Sequence, residues 1–376
     1  VHLGLSTAGA RPSRPENRFG LDYLDAAREL GPPPTPIVDI HTHANGAGAG
    51  PIFARAARAF GVRAVFTMVR VQDAPLVRSA LGDLVHFIAF PNFRAPDRRA
   101  AFSDQFLVDI QEFHDRFNAR WIKLWNAPRM HDFFPGDAGS ELIEFDSPWR
   151  IRHIELAQSL GMGVMVHTAD PDTWFATRYA DAAKYRAKRE HYRGLEAVLD
   201  RFEGPWIAAH MGGSPEDLDF LDGLLARHPN LHLDTSATKW VVRELSKHPR
   251  PRVRDFFERW RGRILFGSDI VATDDHLAPT VVPEGQVKHP MADLADSPGA
   301  ALDLYCSRYF ALRQMFETEY DGASPIADPD LAMIDPRLTD PMAAPPLRGL
   351  GLSRDVLEDL YANAARALLE RVGVEV

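Results

Sequence analysis

Eight apolar runs of strand length recur along the chain, stretches of helical periodicity separate them, and histidines or an aspartate end several of the runs. Together these predict an α/β fold, a parallel (β/α)8 barrel of the TIM type. Strand and helix alternating eight times favours a closed barrel over an open sheet. The expected plan is an N-terminal arm over 1–36, one barrel domain over 37–376, and a long insertion over 271–348 after the eighth strand.

The arm carries Pro12, Pro15 and polar residues, then a short helix over 21–30 that Gly31-Pro32-Pro33-Pro34 ends. It holds no recognisable chemistry and is expected to pack outside the barrel. The first strand, 37–43, reads Ile-Val-Asp-Ile-His-Thr-His between that proline run and the turn residues Asn45-Gly46-Ala47-Gly48. The other strands are expected at 63–69, 85–90, 120–126, 161–168, 205–210, 231–236 and 263–269. Amphipathic helices are expected at 51–60, 104–117, 149–160 and 215–228. The last opens Ser214-Pro215-Glu216-Asp217, where serine caps, proline takes the first helical position and Asp217 completes a capping box. A loop and then a helix to Phe202 fill 170–203. The insertion holds a helix over 300–319, and a final helix spans 353–372 from a serine cap.

A chain of 376 residues suggests two or three domains by length, yet α/β barrels exceed 250 residues as one unit. A net charge of -9 and a pI near 5.9 weigh against nucleic acid or an anionic membrane as partner. Cys306 is the one cysteine, so neither a disulfide framework nor a thiolate metal cluster forms within one chain. That composition fits a reducing compartment. With no apolar run near 20 residues and no basic-then-apolar start, the expected location is cytoplasmic.

His41 and His43, spaced i, i+2, share one strand face. His167 ends the fifth predicted strand, His210 the sixth and Asp269 the eighth, and Lys123 lies in the fourth. Parallel strands of a barrel all end at one mouth, so these residues converge there. His41, His43, His167 and Asp269 can then surround one divalent cation, zinc first, with manganese or iron as alternatives. Water on such an ion loses its proton near neutral pH and becomes a nucleophile. Asp269 is placed to accept that proton, and His210 to polarise or protonate the substrate. A histidine at a strand end is more often a hydrogen-bonded core residue. His86, His114, His131, His153, His191, His228, His232, His248 and His289 are read that way or as surface groups, while His276, just after Asp269, stays open. For the named set, convergence from separate strands favours the metal.

Four segments carry a family resemblance: Val38-Asp39-Ile40-His41-Thr42-His43, Ala209-His210-Met211-Gly212-Gly213, Ile264-Leu265-Phe266-Gly267-Ser268-Asp269 and Leu360-Tyr361-Ala362-Asn363-Ala364. On these the chain resembles the amidohydrolase superfamily, specifically the amidohydrolase 2 family, over all eight strands and the last helix. The resemblance implies a mononuclear site at the positions of His41, His43, His167 and Asp269, with His210 acting in catalysis. Members hydrolyse lactones, amides and related bonds, and some decarboxylate or hydrate acids. The insertion after Asp269 departs from the usual family length. Other branches carboxylate a fourth-strand lysine that bridges two metals. Lys123, between Trp121 and Trp125 on one strand face, is read first as a substrate-facing or structural ammonium and second as that bridge.

The function expected is a metal-dependent hydrolase that turns an activated water on a small, carboxylate-bearing lactone, ester or amide. The alternative is a non-oxidative decarboxylase on the same site. A non-catalytic scaffold with a vestigial site is a third reading, against which the intact ligand set argues. Arg70, Arg94, Lys123, Arg129, Arg178 and Lys239 fall at or beyond predicted strand ends, which points to an anionic substrate. Lys123, Arg70 and Arg178 are the named substrate contacts, with Trp174, Phe175 and Trp240 as apolar walls or core. The helix over 300–319, with Tyr305-Cys306-Ser307-Arg308-Tyr309-Phe310, is expected to cover the mouth as a lid. Its alternative role is the contact of a homodimer.

Overall fold

The computed structural model describes residues 11–139, 141–279 and 291–376. His289, residues 1–10 of the arm and 280–290 of the insertion lie outside them. The strands are β1 (Ile37–Ala44), β2 (Val62–Val69), β3 (Val85–Ala89), β4 (Trp121–Trp125), β5 (Gly163–His167), β6 (Trp206–Ala208), β7 (Leu231–Asp234), β8 (Ile264–Leu265) and β9 (Ile270–Ala272). They form one curled parallel sheet in the order β8-β7-β6-β5-β4-β3-β2-β1-β9. All eight expected strands appear, and the eighth is broken. Its first part pairs with β7 through Leu233↔Ile264 and Asp234↔Leu265, its last with β1 through Thr42↔Ile270, His43↔Val271 and Ala44↔Ala272. Between them, Ile40 N–H donates to Phe266 O at 3.0 Å and Asp269 N–H to His41 O at 2.8 Å. Val271 therefore belongs to the sheet, and the insertion starts later than expected.

β1 contains the irregularity that shapes the mouth. Asp39 pairs with Val65 but Thr42 pairs with Thr67, so three steps along β1 match two along β2. Side chains alternate along a strand, and an extra residue reverses the alternation. Before the bulge, Val38 and Ile40 face inward onto Ala64, Phe66, Met68, Trp121, Met165 and Leu265. After it, His41 and His43 take over the inward face.

Helices cover the outer face. Asp104–Phe117 stands where its periodicity placed it, and Ala49–Ala59, Pro148–Ser159 and His191–Arg201 lie within a few residues of expectation. The helix expected at 215–228 begins later, as Leu218–Arg227, because Asp217 rather than Ser214 caps it by accepting from Phe220 N–H. The C-terminal helix runs Arg354–Glu358, a π turn Asp359–Asn363, and Ala364–Glu370. Ser353 occupies its N-cap, but the hydroxyl bonds the Asp355 side chain instead of the backbone. Leu360 O in the π turn accepts from Phe266 N–H at 2.9 Å, which ties this helix to the broken strand. Ala364, Ala365, Leu368 and Leu369 then seal the inner layer from below. No helix among the described residues is long and apolar enough to cross a membrane.

The expected lid is a wall. Pro298–Glu317 is buried on nearly every side, packs on Ala49–Ala59, Tyr23–Leu30 and Thr238–Leu245, and sends Phe316 onto Phe257 and Phe266. A lid must keep a solvated face, and this helix has almost none. His276 proves structural, holding Tyr305 OH at Nδ1 (2.9 Å) and Met291 O at Nε2 (2.8 Å). The arm is pinned to the same wall, with Arg11 and Asn17 both bonded to Asp303.

Burial pushes the imidazoles of His153, His191 and His232 down to about 3, 4 and 4. Each is neutral in the native state, whereas the unfolded chain takes up a proton near pH 6.5. Their stabilisation is complete above 6.5 and is lost as pH falls from 6.5 through 4, by about 1.4 kcal/mol per pH unit for each. Urea unfolding between pH 7 and 4.5 should show this slope, and His232→Gln should reduce it by about that amount. An unchanged slope in the variant means that His232 is already protonated in the fold.

Candidate active site

Three donors meet at the mouth. His41 Nε2 and His43 Nε2 lie 3.5 Å and 3.3 Å from Asp269 Oδ1, and all three donor atoms fall within 4.8 Å of one another. The bulge supplies the histidines, and the break in the eighth strand supplies the aspartate. Asp269 sits in that break with φ +58°, a left-handed backbone that costs a side-chain-bearing residue roughly 1–2 kcal/mol. Asp39 helps hold it there. Its carboxyl accepts from Ser268 N–H (3.0 Å), Ser268 Oγ (2.6 Å), Tyr309 OH (2.9 Å) and His41 N–H (3.3 Å). Burial still raises Asp39 to about 7 against those four bonds. For Asp269 burial also pushes upward, but the hydrogen bond with His43 and the positive charge of Lys123 outweigh it, and the group falls to about 2.

One carboxylate orients two imidazoles. Asp234 Oδ2 lies 2.8 Å from His41 Nδ1, and its Oδ1 accepts from His210 N–H (2.8 Å), from Ser236 N–H (3.0 Å) and from the Ser236 hydroxyl. Ser236 Oγ is also 2.8 Å from His210 Nδ1. Since the hydroxyl proton is given to Asp234, the proton of that second bond must sit on His210 Nδ1. Both rings thus carry hydrogen on Nδ1 and a free lone pair on Nε2. Burial first, then Lys123 for His41 and His167 for His210, keeps both well below the ordinary histidine value. His210 stands past the end of β6, also left-handed at φ +60°.

His167 is brought to His210, with ring centroids 4.5 Å apart at 74°. Its Nε2, however, lies 2.7 Å from Asp170, whose other oxygen accepts from Tyr179 OH at 2.9 Å. Lys123 is 2% exposed, and its Nζ is 3.4 Å from His41 Nε2. Burial lowers it to about 8 while Asp234 and Asp269 pull upward. The other expected cations have different surroundings. Arg70 forks onto Asp73 at 2.6 and 3.0 Å, Lys239 pairs with Asp328 and Asp330, Arg129 lies over Phe133, and Arg94 is exposed. Arg178 is exposed over the Trp174 ring. Aromatic rings wall the mouth: Phe90 against His43, Trp125 against His167, and Trp240 against both His167 and His210 with Trp174 behind it. Phe175 packs outward on Tyr179 and His191. Asp234, Asp170, Ser236 and Asp39 are the functional groups that sequence reasoning missed. Asp234 carried a usable signal, because it lies two residues before the end of the strand expected at 231–236 and ends β7 as observed.

No family model matches the chain, and no curated protein matches it. Among solved structures it is similar to an uncharacterized TIM-barrel protein from Bordetella bronchiseptica, with 14% identity and a TM-score of 0.48 over 90% of this chain and 99% of that one. An amidohydrolase from Burkholderia multivorans gives 13% and 0.39 over 89% and 99%. The 5-carboxyvanillate decarboxylase from Sphingomonas paucimobilis gives 11% and 0.42 over 89% and 98%. At such scores the likeness carries no argument, and the fold rests on its strand order and the site on its donor geometry.

The hydrogen-bond pattern predicts that His41 and His210 stay neutral, protonated at Nδ1, as the metal-free protein is brought from pH 7.5 to 6. Nitrogen-15 spectra of selectively labelled histidine read this directly, with His41→Asn and His210→Asn variants assigning the signals. Titration of either ring near 6.5 contradicts the assignment.

Proposed function

We propose that this chain is a metal-dependent hydrolase on a closed (β/α)8 barrel, acting on a small lactone, ester or amide that bears a carboxylate. The closed barrel is supported by the run 264–272, hydrogen-bonded to β7 at its start and to β1 at its end. The observation that carries the activity is the convergence of His41, His43 and Asp269 beside a neutral, lone-pair-bearing His210. His41, His43 and Asp269 are the ligands proposed, with His167 as the fourth through Nδ1. Metal-bound histidines give their second ring N–H to a carboxylate, and Asp234 behind His41 and Asp170 behind His167 fit that pattern. Two or three nitrogens and one carboxylate suit zinc first, with manganese or iron as alternatives. A divalent ion there supplies Lewis-acid polarisation of the substrate carbonyl and eases deprotonation of the attacking water.

The chain's own groups do the rest. His210 Nε2, in place of the Asp269 expected from the sequence, accepts the proton of the attacking water, because Asp269 held down at about 2 is a weak base, and Ser236 and Asp234 hold the ring as it becomes charged. The structure gives His210 in its proton-accepting form, so the base role precedes any donation to the leaving group. Lys123 is an ammonium at neutral pH and pairs with the substrate carboxylate. Phe90, Trp125 and Trp240 take the apolar body. Those same rings favour a second reading, decarboxylation of an aromatic acid, in which the ring lies flat against them and carbon is protonated in place of water attack.

Elemental analysis should find one divalent ion per chain. A panel of lactones, esters, amides and aromatic acids should reveal turnover that a chelator abolishes. His210→Ala should keep the ion and lose turnover by about 100-fold or more. Lys123→Met should raise KM for a carboxylate substrate by about tenfold while leaving its neutral analogue little changed. Released carbon dioxide in place of hydrolysis selects the second reading. Two ions per chain, or turnover indifferent to chelation, overturns the mononuclear mechanism.

A further inference from the structure

The N-terminal arm, the insertion and the helix Pro298–Glu317 enclose a cavity of about 430 Å3 away from the donor cluster. Its walls are largely apolar, with Leu294, Ala295, Leu304, Ala327, Pro329 and Pro341 among them. Arg308 reaches into this space. Its guanidinium has five donors, and the structure gives it one partner, Ser307 Oγ at 2.9 Å, with no carboxylate within 4 Å among the described residues. The other cations here are served. Lys239 has Asp328 and Asp330, Arg14 has Glu16 and Asp296, and Arg313 on the same helix forks onto Glu317.

From this we infer that the cavity is a second binding site, for a monocarboxylate with an apolar body. Arg308 is half-buried and feels Glu16 and Asp328 only at a distance, so its fork is left open, and a carboxylate fits that fork by two parallel bonds. The volume lies in the range of small-molecule sites, and prolines and leucine give the body its contacts. Arg14 and Lys239, which also line the cavity, already have carboxylate partners, so the open fork of Arg308 suits a single negative charge and a monoanion is preferred. Burial lowers Arg308 to about 10, which leaves it charged at neutral pH. Occupancy bears on the mouth through one residue: Lys239 shares Asp330 with Trp240 Nε1–H, and the Trp240 ring stands against His167 and His210. The inference is independent of which reaction the mouth performs.

Calorimetric titration of the metal-free protein tests it, since no ion is then present to capture the probe at the mouth. Hexanoate should bind one to one with a Kd near 1 mM or tighter, and hexanol and succinate at least about tenfold more weakly. Arg308→Met should lose about tenfold or more in hexanoate affinity without a lower melting temperature, because the half-buried guanidinium bonds no carboxylate among the described residues and its removal breaks no ion pair. Arg308→Lys, which keeps the charge and loses the fork, should bind with intermediate affinity and keep its preference for the monoanion. His43→Ala should bind hexanoate as the parent does. Absence of binding to about 10 mM, equal binding of hexanol, unchanged affinity in Arg308→Met, or lost affinity in His43→Ala each overturns the proposal.

Discussion

One extra residue in β1 decides what the mouth of this fold contains. Without the bulge between Asp39 and Thr42, strict alternation would leave His41 and His43 on the same face as Ile37 and Asp39, against the outer helices. With it, Ile40 and His41 both point inward, and the last apolar layer meets the first polar one within a single residue. The residue left facing outward is Asp39, and its position there is what lets it bond Ser268 and Tyr309. The same irregularity thus aims two donors inward and anchors the segment that carries the third. A register change of one residue would cost all of this at once.

The strained positions follow the same logic. His210, Met211, Ala237 and Asp269 have left-handed backbones without being glycine, and all stand where β6, β7 and β8 give out. At His210 and Asp269 the change of direction turns the side chain toward the donor cluster, whereas Met211 packs into the outer core. His210 N–H and Asp269 N–H are both satisfied at 2.8 Å, by Asp234 and by His41 O. Strain of this kind persists where surrounding bonds over-determine it, and it gathers at functional sites.

The strands were legible because each is an apolar run bounded by Gly, Pro or charged residues, and burial on both faces leaves little else that such a run can be. His41, His43, His210 and Asp269 were legible because the parallel arrangement sends every strand end to one place. The lid was misread for a definable reason. The sequence 298–317 spreads apolar residues over all faces without one polar stripe, and that marks a helix enclosed by others, whereas the aromatics and arginine in it drew a functional reading. Arg70 was read toward a substrate although Asp73, three residues on, offered a local fork. Asp234 and Ser236 were missed because the imidazoles they hold, His41 and His210, come from other strands and no spacing within the chain records that, whereas Asp170 stands three residues after His167 and its spacing could have been read. The capping of Leu218–Arg227 shows the same limit at short range. Ser214 and Asp217 both suit an N-cap, and the sharp turn at Gly212 and Gly213 decides between them.

Charge decides how many ions the mouth can hold. Leaving the imidazoles aside, the cluster sets one ammonium, Lys123, against three carboxylates, Asp170, Asp234 and Asp269, an imbalance of two negative charges. Buried charge needs compensation, and one divalent cation supplies it in full. A second divalent ion would carry the same cluster two charges past neutrality. Carboxylation of Lys123 changes the sum, because it removes one positive charge and adds one negative, raising the imbalance to four and making room for two ions. The ammonium state and a mononuclear site therefore imply each other, as do the carbamate and a binuclear one. Lys123 lies against His41, and among the described residues no carboxylate is bonded to its nitrogen. Its amine, lowered by burial to about 8, is held as the cation by Asp234 and Asp269. That balance supports the proposed mononuclear reading, in which the lysine stays a cation beside one ion and its positive charge favours an anionic substrate.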